Sequence, residues 1–259
     1  MSEGENFTLF STKPSPSGWK VAVILEELGL KYKTTYLDLS TGEQKHPDYT
    51  RLNPNGQVPA LVDHRNGDFV IWWGPFVAGF CLCRVDLLIL IRDSGAIFAY
   101  LIEKYDVEGK ISLKTLEEKT EMTQWMHFQS SGQGPMFSQL FYFGWRLQER
   151  VPVAIKRYQD EFVRIYTVLE GVLMNRERQG QQWLVGGKIT AADLAFVVWN
   201  HFAPFLASGL EGGSFSLKSE FPHVAAWHKQ MTERPAVKHV LDELAALNAD
   251  LAMLNEGWR

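Results

Sequence analysis

The apolar residues near the start of the chain change from strand spacing to helix spacing and back. Phe7–Ser11 is a short β-prone run, which the turn-rich residues 13–18 bring to an end. One face of a helix then carries apolar residues at the i, i+3, i+4 and i+7 positions: Val21, Ile24, Leu25 and Leu28. Gly29 is placed to end this helix, and residues 32–39 predict a second strand. This order predicts a right-handed βαβ unit with parallel strands.

The next segment carries the signals of a hairpin followed by a helix. Residues 46–52 predict a short helix or turn, and Ala60–Asp63 predicts a strand. Asn66-Gly67 is a strong hairpin signal, and Phe69–Trp72 supplies the returning strand. Residues 93–105 have helical spacing. The predicted order for the first part of the chain is therefore βαβ followed by ββα.

Helical spacing continues from about residue 113, and no strand signal returns. Residues 194–206 are apolar on nearly every side, which predicts a central, buried helix. Further helices are marked by residues 155–173 and 224–231. This change of pattern predicts an α/β domain at residues 6–108 and an all-α domain at residues 113–255.

The composition fits a globular enzyme of one large domain or two small ones. The 259 residues are 46% apolar and 22% charged, with a formal net charge of −4. No block of basic residues favours a nucleic-acid partner. The polar and acidic start of the chain lacks an apolar signal segment, so we expect a cytoplasmic location.

One apolar stretch, residues 72–91, raises the question of a membrane. Arg84 and Asp86 near its middle each cost about 2.5–3.5 kcal/mol at the centre of a bilayer helix, so we expect no membrane span. The stretch also contains the two cysteines of the chain, Cys81 and Cys83. At this spacing they are too close for a disulfide and too few for a zinc site.

The first motif with chemical meaning is Val58-Pro59, between the βαβ and ββα units. Only about 5–6% of X-Pro bonds are cis, so a trans proline that starts a strand is the plain alternative. A proline at this point in this order of elements resembles the thioredoxin fold, which implies a cis bond. In that fold the residue before the proline pairs like a strand with a bound peptide, and Val58 occupies that position here.

The second motif is Asp93-Ser94, at the start of a predicted helix. A helix N-cap is its plain role. A helix N-terminus also offers N–H groups and the positive end of the helix dipole, so Ser94 and these amides can hold a carboxylate. Asp93 can pair with an ammonium group. One amino-acid head group carries both charges, which makes it the expected ligand.

A third motif, Thr190-Ala-Ala-Asp193, has the spacing of a capping box, with Asp in the place of the usual Glu. Ile189 and Leu194 on either side of the cap are placed as a hydrophobic staple. Because the motif starts the helix that is predicted to be buried, we assign it a role in folding and none in catalysis.

Four segments together resemble the glutathione transferase superfamily: FTLFSTKPSPSGWKVAVILEELGLKY, LNPNGQVPALVDH, DSGAIFAYLIEKY and ITAADLAF. The nu-class and fungal nitrogen-regulator-like branch is the most similar, and residues 124–136 resemble it too. The resemblance covers residues 6–72 and 93–250. It implies a thioredoxin-like N-terminal domain, a helical C-terminal domain and a homodimer. The head group at Asp93 and Ser94 is then the γ-glutamyl end of glutathione.

The resemblance also implies how glutathione is bound and activated. The branch usually has Asn just before the first helix, in a Pro-Asn-Gly-Trp-Lys context, and Ser17 occupies that position here. A serine can donate a hydrogen bond to a thiolate, but Ser11 and Ser15 are rivals, and a plain N-cap is the alternative role. Gln44 and Lys45 match the positions that hold the glycine carboxylate; a solvated loop is the alternative.

The second substrate is expected between the two domains, beside the sulfur of glutathione. A minority of the aromatic residues in one segment should line an apolar site, and the others should be core: Trp125, Phe128, Phe137, Phe141, Tyr142, Phe143 and Trp145. We expect His127 and His201 to be structural rather than catalytic.

These features predict an enzyme that conjugates glutathione to a small apolar electrophile, in detoxification or secondary-metabolite biosynthesis, or that reduces peroxides with it. Glutathione is the co-substrate, and no cofactor, metal, nucleic acid or membrane is expected. A non-enzymatic regulator and a ligand-binding protein on the same fold are the alternatives, because a fold does not fix a function.

Residues 73–92 interrupt the resemblance just before Asp93. Deleting them restores FVIWDSGAIFAYL, a short connection of the family kind. We favour a retained intron or an error in the gene model, which sequencing of the transcript tests: a mature message encoding these residues contradicts it. The alternative is a genuine insertion that covers the site or reaches a membrane or partner, at the risk of aggregation that an exposed apolar loop brings.

Overall fold

The computed structural model describes residues 6–72, 94–209 and 216–248. The interrupting stretch, its two cysteines and Asp93 lie outside these residues. Within them, four strands form one mixed sheet: β1 Phe7–Ser11, β2 Tyr32–Tyr36, β3 Ala60–Asp63 and β4 Phe69–Trp72. Their order in the sheet is β2-β1-β3-β4. β1 runs parallel to β2 and antiparallel to β3, and β3 runs antiparallel to β4, which confirms the predicted thioredoxin-like arrangement.

Three helices accompany the sheet: α1 Pro16–Glu27, α2 Pro47–Thr50 and α3 Gly95–Tyr105. Pro16 is the first residue of α1, where its missing N–H is not needed and its fixed φ already suits a helix. Gly29 follows the helix with a φ of +67°, as its predicted role in ending the helix requires. α1 is buried along most of its length because it packs on the sheet and also on two helices of the helical region, α7 Ala191–Ala207 and α10 Pro235–Leu247.

Two predicted details of this region differ from the structure. The second strand ends at Tyr36 rather than Leu39, because β1, its partner in the sheet, ends at Ser11, opposite Tyr36. The hairpin between β3 and β4 is also longer than a tight turn. It begins with the 3-10 turn His64–Asn66, and Gly67 and Asp68 then adopt positive φ values of 65° and 58°.

The rest of the described chain is helical. Its helices are α4 Leu116–Phe128, α5 Gly134–Phe141, α6 Pro152–Arg178, α7 Ala191–Ala207, α8 Leu217–Glu220, α9 Pro222–Thr232 and α10 Pro235–Leu247. Two π-helical turns, Gln129–Gln133 and Tyr142–Arg146, follow α4 and α5 without a break. α7 is buried on every side over its first three turns, as its sequence predicted. No helix in the described ranges is both long enough and apolar enough to cross a membrane.

The start of α7 is capped by side chains of its own first turn. The Thr190 hydroxyl accepts a hydrogen bond from the Ala192 N–H at 3.2 Å, and the Asp193 carboxylate accepts one from the Thr190 N–H at 2.8 Å. Asp193 also accepts the Leu184 N–H at 2.9 Å and the Trp227 indole N–H at 3.0 Å. Burial raises the pKa of Asp193 to about 6, against the pull of these hydrogen bonds toward the charged form. This confirms the predicted capping box.

An ion pair joins the two regions at the far end of α1. The Arg234 guanidinium donates two hydrogen bonds to the Glu27 carboxylate, at 2.6 and 2.7 Å. The Lys110 ammonium donates to the main-chain carbonyl of the same glutamate. Because one apolar core also runs through both regions, α1 is held along its length by the helical region. The domain bounds 6–108 and 113–255 stay a prediction.

Candidate glutathione site

The turn that ends at Pro59 is held by its own side chains. The Val58-Pro59 bond is cis, as the order of elements implied, and Val58 is fully buried. The carbonyl of Gln57 accepts hydrogen bonds from the Tyr49 hydroxyl and, at 2.7 Å, from the Asn53 side-chain amide. Two donors on one carbonyl fix the main chain just before the proline.

The 3-10 turn Glu43–Lys45 lies directly against this proline turn. Gly56 has a φ of +56°, and a Cβ atom there would lie 2.8 Å from the carbonyl oxygen of Gln44. The Lys45 ammonium donates to the Asn55 carbonyl at 3.3 Å. Gln44 is only 1% exposed, which argues against the solvated loop for this residue, whereas Lys45 is exposed. Gln44 and Lys45 therefore lie beside the Val58-Pro59 turn.

Three buried polar atoms around this turn have no hydrogen-bond partner among the described residues. They are Gln44 Oε1, Asn55 Nδ2 and Gln57 Oε1. A buried polar group that lacks a partner costs about 1–3 kcal/mol, so most such groups in proteins are paired. Their concentration within a short segment indicates a surface prepared for a polar ligand.

The register of the sheet places the start of α1 next to the same turn. Phe10 of β1 is opposite Ala60 of β3, so Ser11 is level with Pro59. Gly18 packs against Ser11, since a Cβ atom on Gly18 would lie 1.8 Å from the Ser11 hydroxyl oxygen. The chain between β1 and α1, with its serines, therefore leaves the sheet at the cis proline.

The position of Ser17 corrects one expectation. The sequence placed Ser17 just before the first helix, but Ser15 is the N-cap and Ser17 is the second residue inside α1. The reason is that Pro16 fits the first helical position and moves the boundary forward. A plain N-cap is thus not the role of Ser17, which is 3% exposed. The hydroxyl of its rival Ser11 donates to the Thr12 carbonyl at 3.3 Å.

Ser94 lies immediately before α3 and is buried. Its carbonyl accepts the Phe98 N–H at 3.0 Å, while its side chain does not cap the helix. The start of α3 therefore has an N-cap position without a side-chain cap from Ser94. The contact of Asp93 with an ammonium group stays a prediction, because that residue lies outside the described ranges.

The predicted aromatic segment divides into core and partly exposed residues. Trp125 and Phe137 are buried in the helical core. Phe141 and Trp145 are partly exposed, and the centres of their stacked rings are 6.4 Å apart. The centre of the Phe205 ring is 6.1 Å from that of Phe141 and 5.0 Å from that of Trp145. We call Phe141, Trp145 and Phe205 the aromatic ladder. It is the best candidate for the apolar wall of a second-substrate site.

Neither predicted structural histidine has the features of a catalytic base. His127 is exposed on α4. His201 is buried in α7, and burial lowers its pKa to about 4, so it is neutral at pH 7. The buried position of His201 is consistent with the predicted structural role, whereas that role for the exposed His127 stays a prediction.

Sequence reasoning missed one buried cation, Lys20. Its side chain lies between α1, α3 and the π-helical turn Gln129–Gln133. The available signal was a lysine inside the otherwise apolar run of α1, from Trp19 to Leu25, where every side chain proves to be buried. A charged residue in such a run indicates a specific partner.

Comparison with known proteins agrees with this geometry. Residues 5–72 match the family model "Glutathione S-transferase, N-terminal domain", and residues 146–235 match the corresponding C-terminal domain. Glutathione S-transferase 1 of Schizosaccharomyces pombe is 38% identical, over 92% of this chain and 96% of that protein. Protein URE2 of Candida albicans is 37% identical, over 92% of this chain and 70% of that protein.

A solved structure gives the same result for the fold. Glutathione transferase URE2P8 of Phanerochaete chrysosporium, determined with oxidized glutathione, superposes with a TM-score of 0.81 at 41% identity, over 96% of this chain and 99% of that chain. Both family models, the relatives and the solved structure agree on the family of this chain. The chain belongs to the glutathione S-transferase superfamily, in its Ure2-like fungal branch.

Proposed function

We propose that this protein is a glutathione transferase that conjugates glutathione to a small apolar electrophile and also reduces peroxides with it. Glutathione is its co-substrate, and no further cofactor is needed. The observation that carries the proposal is the Val58-Pro59 turn, fixed by Tyr49 and Asn53 and surrounded by buried polar atoms without partners. A bound peptide offers N–H groups for the two glutamine oxygens and carbonyl or carboxylate oxygens for the Asn55 amide.

Each end of the tripeptide has a proposed contact. The main chain of Val58 pairs with the cysteinyl amide in the manner of an added strand. The start of α3, with Ser94 and Asp93, holds the carboxylate and ammonium of the γ-glutamyl group. Gln44, through its side-chain NH₂, and Lys45 hold the glycine carboxylate, because they lie beside the same turn.

Ser17 is the proposed activator of the thiol. A cysteine thiol ordinarily has a pKa of about 8.5, so at neutral pH most of it is protonated, while the thiolate is the nucleophile. The hydroxyl of Ser17 donates a hydrogen bond to the sulfur, and the positive end of the α1 dipole acts in the same direction. Both favour the thiolate and lower the thiol pKa.

The second substrate is proposed to lie against the aromatic ladder. Its partly exposed rings offer apolar surface of the kind that small-molecule sites use. A homodimer in the cytoplasm is also proposed. Phe69 and Trp72 on the edge strand β4 are exposed aromatic residues, and a subunit contact would cover them.

The test is retention on immobilised glutathione, followed by conjugation of 1-chloro-2,4-dinitrobenzene and reduction of cumene hydroperoxide. Ser17→Ala should keep retention but lower kcat about 10²-fold or more, as for the loss of one donor to a developing anion. Ser216→Ala is the matched control, since Ser216 is the N-cap of α8. Failure of the unmodified chain to be retained would contradict the proposal.

A non-enzymatic regulator or ligand-binding protein is the second candidate. The similarity to the solved nitrogen regulation fragment of the yeast protein Ure2p favours it. Retention on glutathione without turnover of either substrate would favour this candidate over the enzyme.

A further inference from the structure

The buried ammonium of Lys20 lies where the two domains meet. Lys20 is one helical turn after Ser17 on α1, and only 1% of it is exposed. Its Nζ atom is 2.5 Å from Gln129 Oε1 and 5.9 Å from the centre of the Phe98 ring on α3. It thus touches α3 one turn after Ser94 and the π-helical turn of the helical domain.

A directed chain of hydrogen bonds starts at this ammonium. Lysine can only donate, so Gln129 must turn its side-chain oxygen toward the ammonium. The Gln129 amide NH₂ then donates to Gln133 Oε1 at 3.2 Å. Gln133 then donates to Asn200 Oδ1 on α7 at 2.8 Å. The same oxygen also accepts a hydrogen bond from the Tyr166 hydroxyl of α6 at 3.0 Å. We call these five residues the relay. The charge of Lys20 strengthens the bonds that run in one direction from Gln129 to Asn200, whereas Tyr166 is a second donor to the same Asn200 oxygen.

The relay includes two residues of the segment that leads to Phe141 and Trp145 of the aromatic ladder. Gln129 and Gln133 begin and end the first π-helical turn, and α5 follows at once with Phe141 as its last residue. Trp145 lies in the next π-helical turn. π-helical turns are rare and frequently occur at functional sites. Fixing the first turn therefore fixes the start of α5, the helix that ends at Phe141 of the ladder.

We propose that Lys20 is a positioning residue that sets the second-substrate wall relative to the first turn of α1, where Ser17 lies. The proposal rests on the proposed transferase function. Lys20 acts through Gln129 and the relay, and touches neither substrate. Its removal should change the reaction with the electrophile and leave the tripeptide contacts at Val58 and Gln44 in place.

The test compares Lys20→Met, of similar length without the charge, with Lys20→Arg and with Gln133→Met, which cuts the relay further along. Lys110→Met is the matched control, because Lys110 also donates to α1, but at its far end. Two readouts are used: hydrogen exchange over residues 126–146 without any substrate, and steady-state kinetics with glutathione and 1-chloro-2,4-dinitrobenzene.

We expect faster exchange over residues 126–146 in Lys20→Met and Gln133→Met but not in Lys110→Met. We also expect kcat/KM for the electrophile to fall about tenfold or more, as for the loss of a hydrogen bond to a charged group, with the KM for glutathione changed less than about threefold. Lys20→Arg should recover part of the loss. If Lys20→Met does not fold, hydrogen exchange and kinetics are both measured on Gln133→Met.

Unchanged exchange over residues 126–146 in Lys20→Met would overturn the relay. Faster exchange with unchanged electrophile kinetics would overturn the positioning role. Equal losses for glutathione and the electrophile would also overturn it. An unmodified chain that neither binds glutathione nor turns over would contradict the proposed function instead, and the exchange measurement would still test the relay.

Discussion

Two kinds of helix start in this protein treat their polar groups in opposite ways. At α7, Thr190 and Asp193 cap each other, and Asp193 also accepts hydrogen bonds from Leu184 and Trp227. At α1 and α3, by contrast, the N-cap serines Ser15 and Ser94 make no side-chain capping bond. The cap of α7 is complete within the fold, whereas the starts of α1 and α3 are the places where we propose that glutathione binds.

The largest effect should come from breaking the closed cap. Asp193→Ala removes the acceptor of several buried donors and should lower the free energy of unfolding by about 4 kcal/mol, since each buried donor left without a partner costs about 1–3 kcal/mol. Urea unfolding measures it. Asp160→Ala, at an exposed helix position, is the control. A loss of less than about 1 kcal/mol would contradict the structural role of this cap.

Acid should also destabilise the helical region, through two buried histidines. Burial lowers the pKa of His201 to about 4 and that of His228 to about 3, and the charge of His201 has a smaller effect in the same direction on His228. The folded chain therefore binds fewer protons than the unfolded one. Stability is fully present above the unfolded pKa of about 6.5 and is lost as the pH falls below it, by about 2 kcal/mol per histidine at pH 5.

Unfolding free energies at pH 7 and pH 5 measure this loss. The double variant His201→Gln and His228→Gln should be less stable than the unmodified chain at pH 7 but should lose much less on going to pH 5. The same pH dependence in the double variant would assign the acid effect to other groups.

A smaller loss should follow from filling the contact at the open start of α1. Gly18→Ala places a Cβ atom 1.8 Å from the Ser11 hydroxyl oxygen, which should cost about 2–3 kcal/mol and disturb glutathione retention. Adding Ser11→Gly leaves the Ser11 Cα, at 3.7 Å, as the nearest of these atoms, so it should recover part of both losses. Gly171→Ala, which meets open space, is the control. Equal retention in Gly18→Ala would count against this close contact.

The smallest effect has the opposite sign. Gln44→Met removes the buried acceptor Oε1, which has no partner among the described residues. It also removes the side-chain NH₂ that is proposed to donate to the glycine carboxylate and that lies 3.5 Å from the Leu39 carbonyl. The free chain should be more stable by about 1 kcal/mol, while glutathione binding should weaken about tenfold, as for one lost hydrogen bond to a charged group. Calorimetry of glutathione binding and thermal unfolding measure both. Exposed Gln148→Met is the control. A less stable variant with unchanged binding would contradict a ligand role for Gln44.

The sequence predicted those parts of the fold that depend on local periodicity and capping. The order of strands, the buried α7 and the Thr190–Asp193 cap were all visible, because each depends on residues close together in the chain. The ligand-side residues came from family resemblance. The boundary at Ser17 was missed by two positions, because Pro16 decides where α1 begins.

The relay could not be predicted from periodicity. Lys20 and Gln129 are far apart in sequence, and their contact depends on how α1 packs against the helical domain. The partnerless atoms of Gln44, Asn55 and Gln57 also emerge only from the folded loop, where the positive φ of Gly56 brings the two turns together. Long-range packing thus supplies what local pattern lacks.

All the proposals for this site depend on glutathione binding at the Val58-Pro59 turn and the start of α3. A crystal structure of this chain with glutathione would decide the matter. We expect the cysteinyl amide paired with the Val58 main chain, the γ-glutamyl group at Ser94 and the sulfur within hydrogen-bond distance of Ser17. A tripeptide bound elsewhere, or absent from this corner at saturating concentration, would rule the proposed site out.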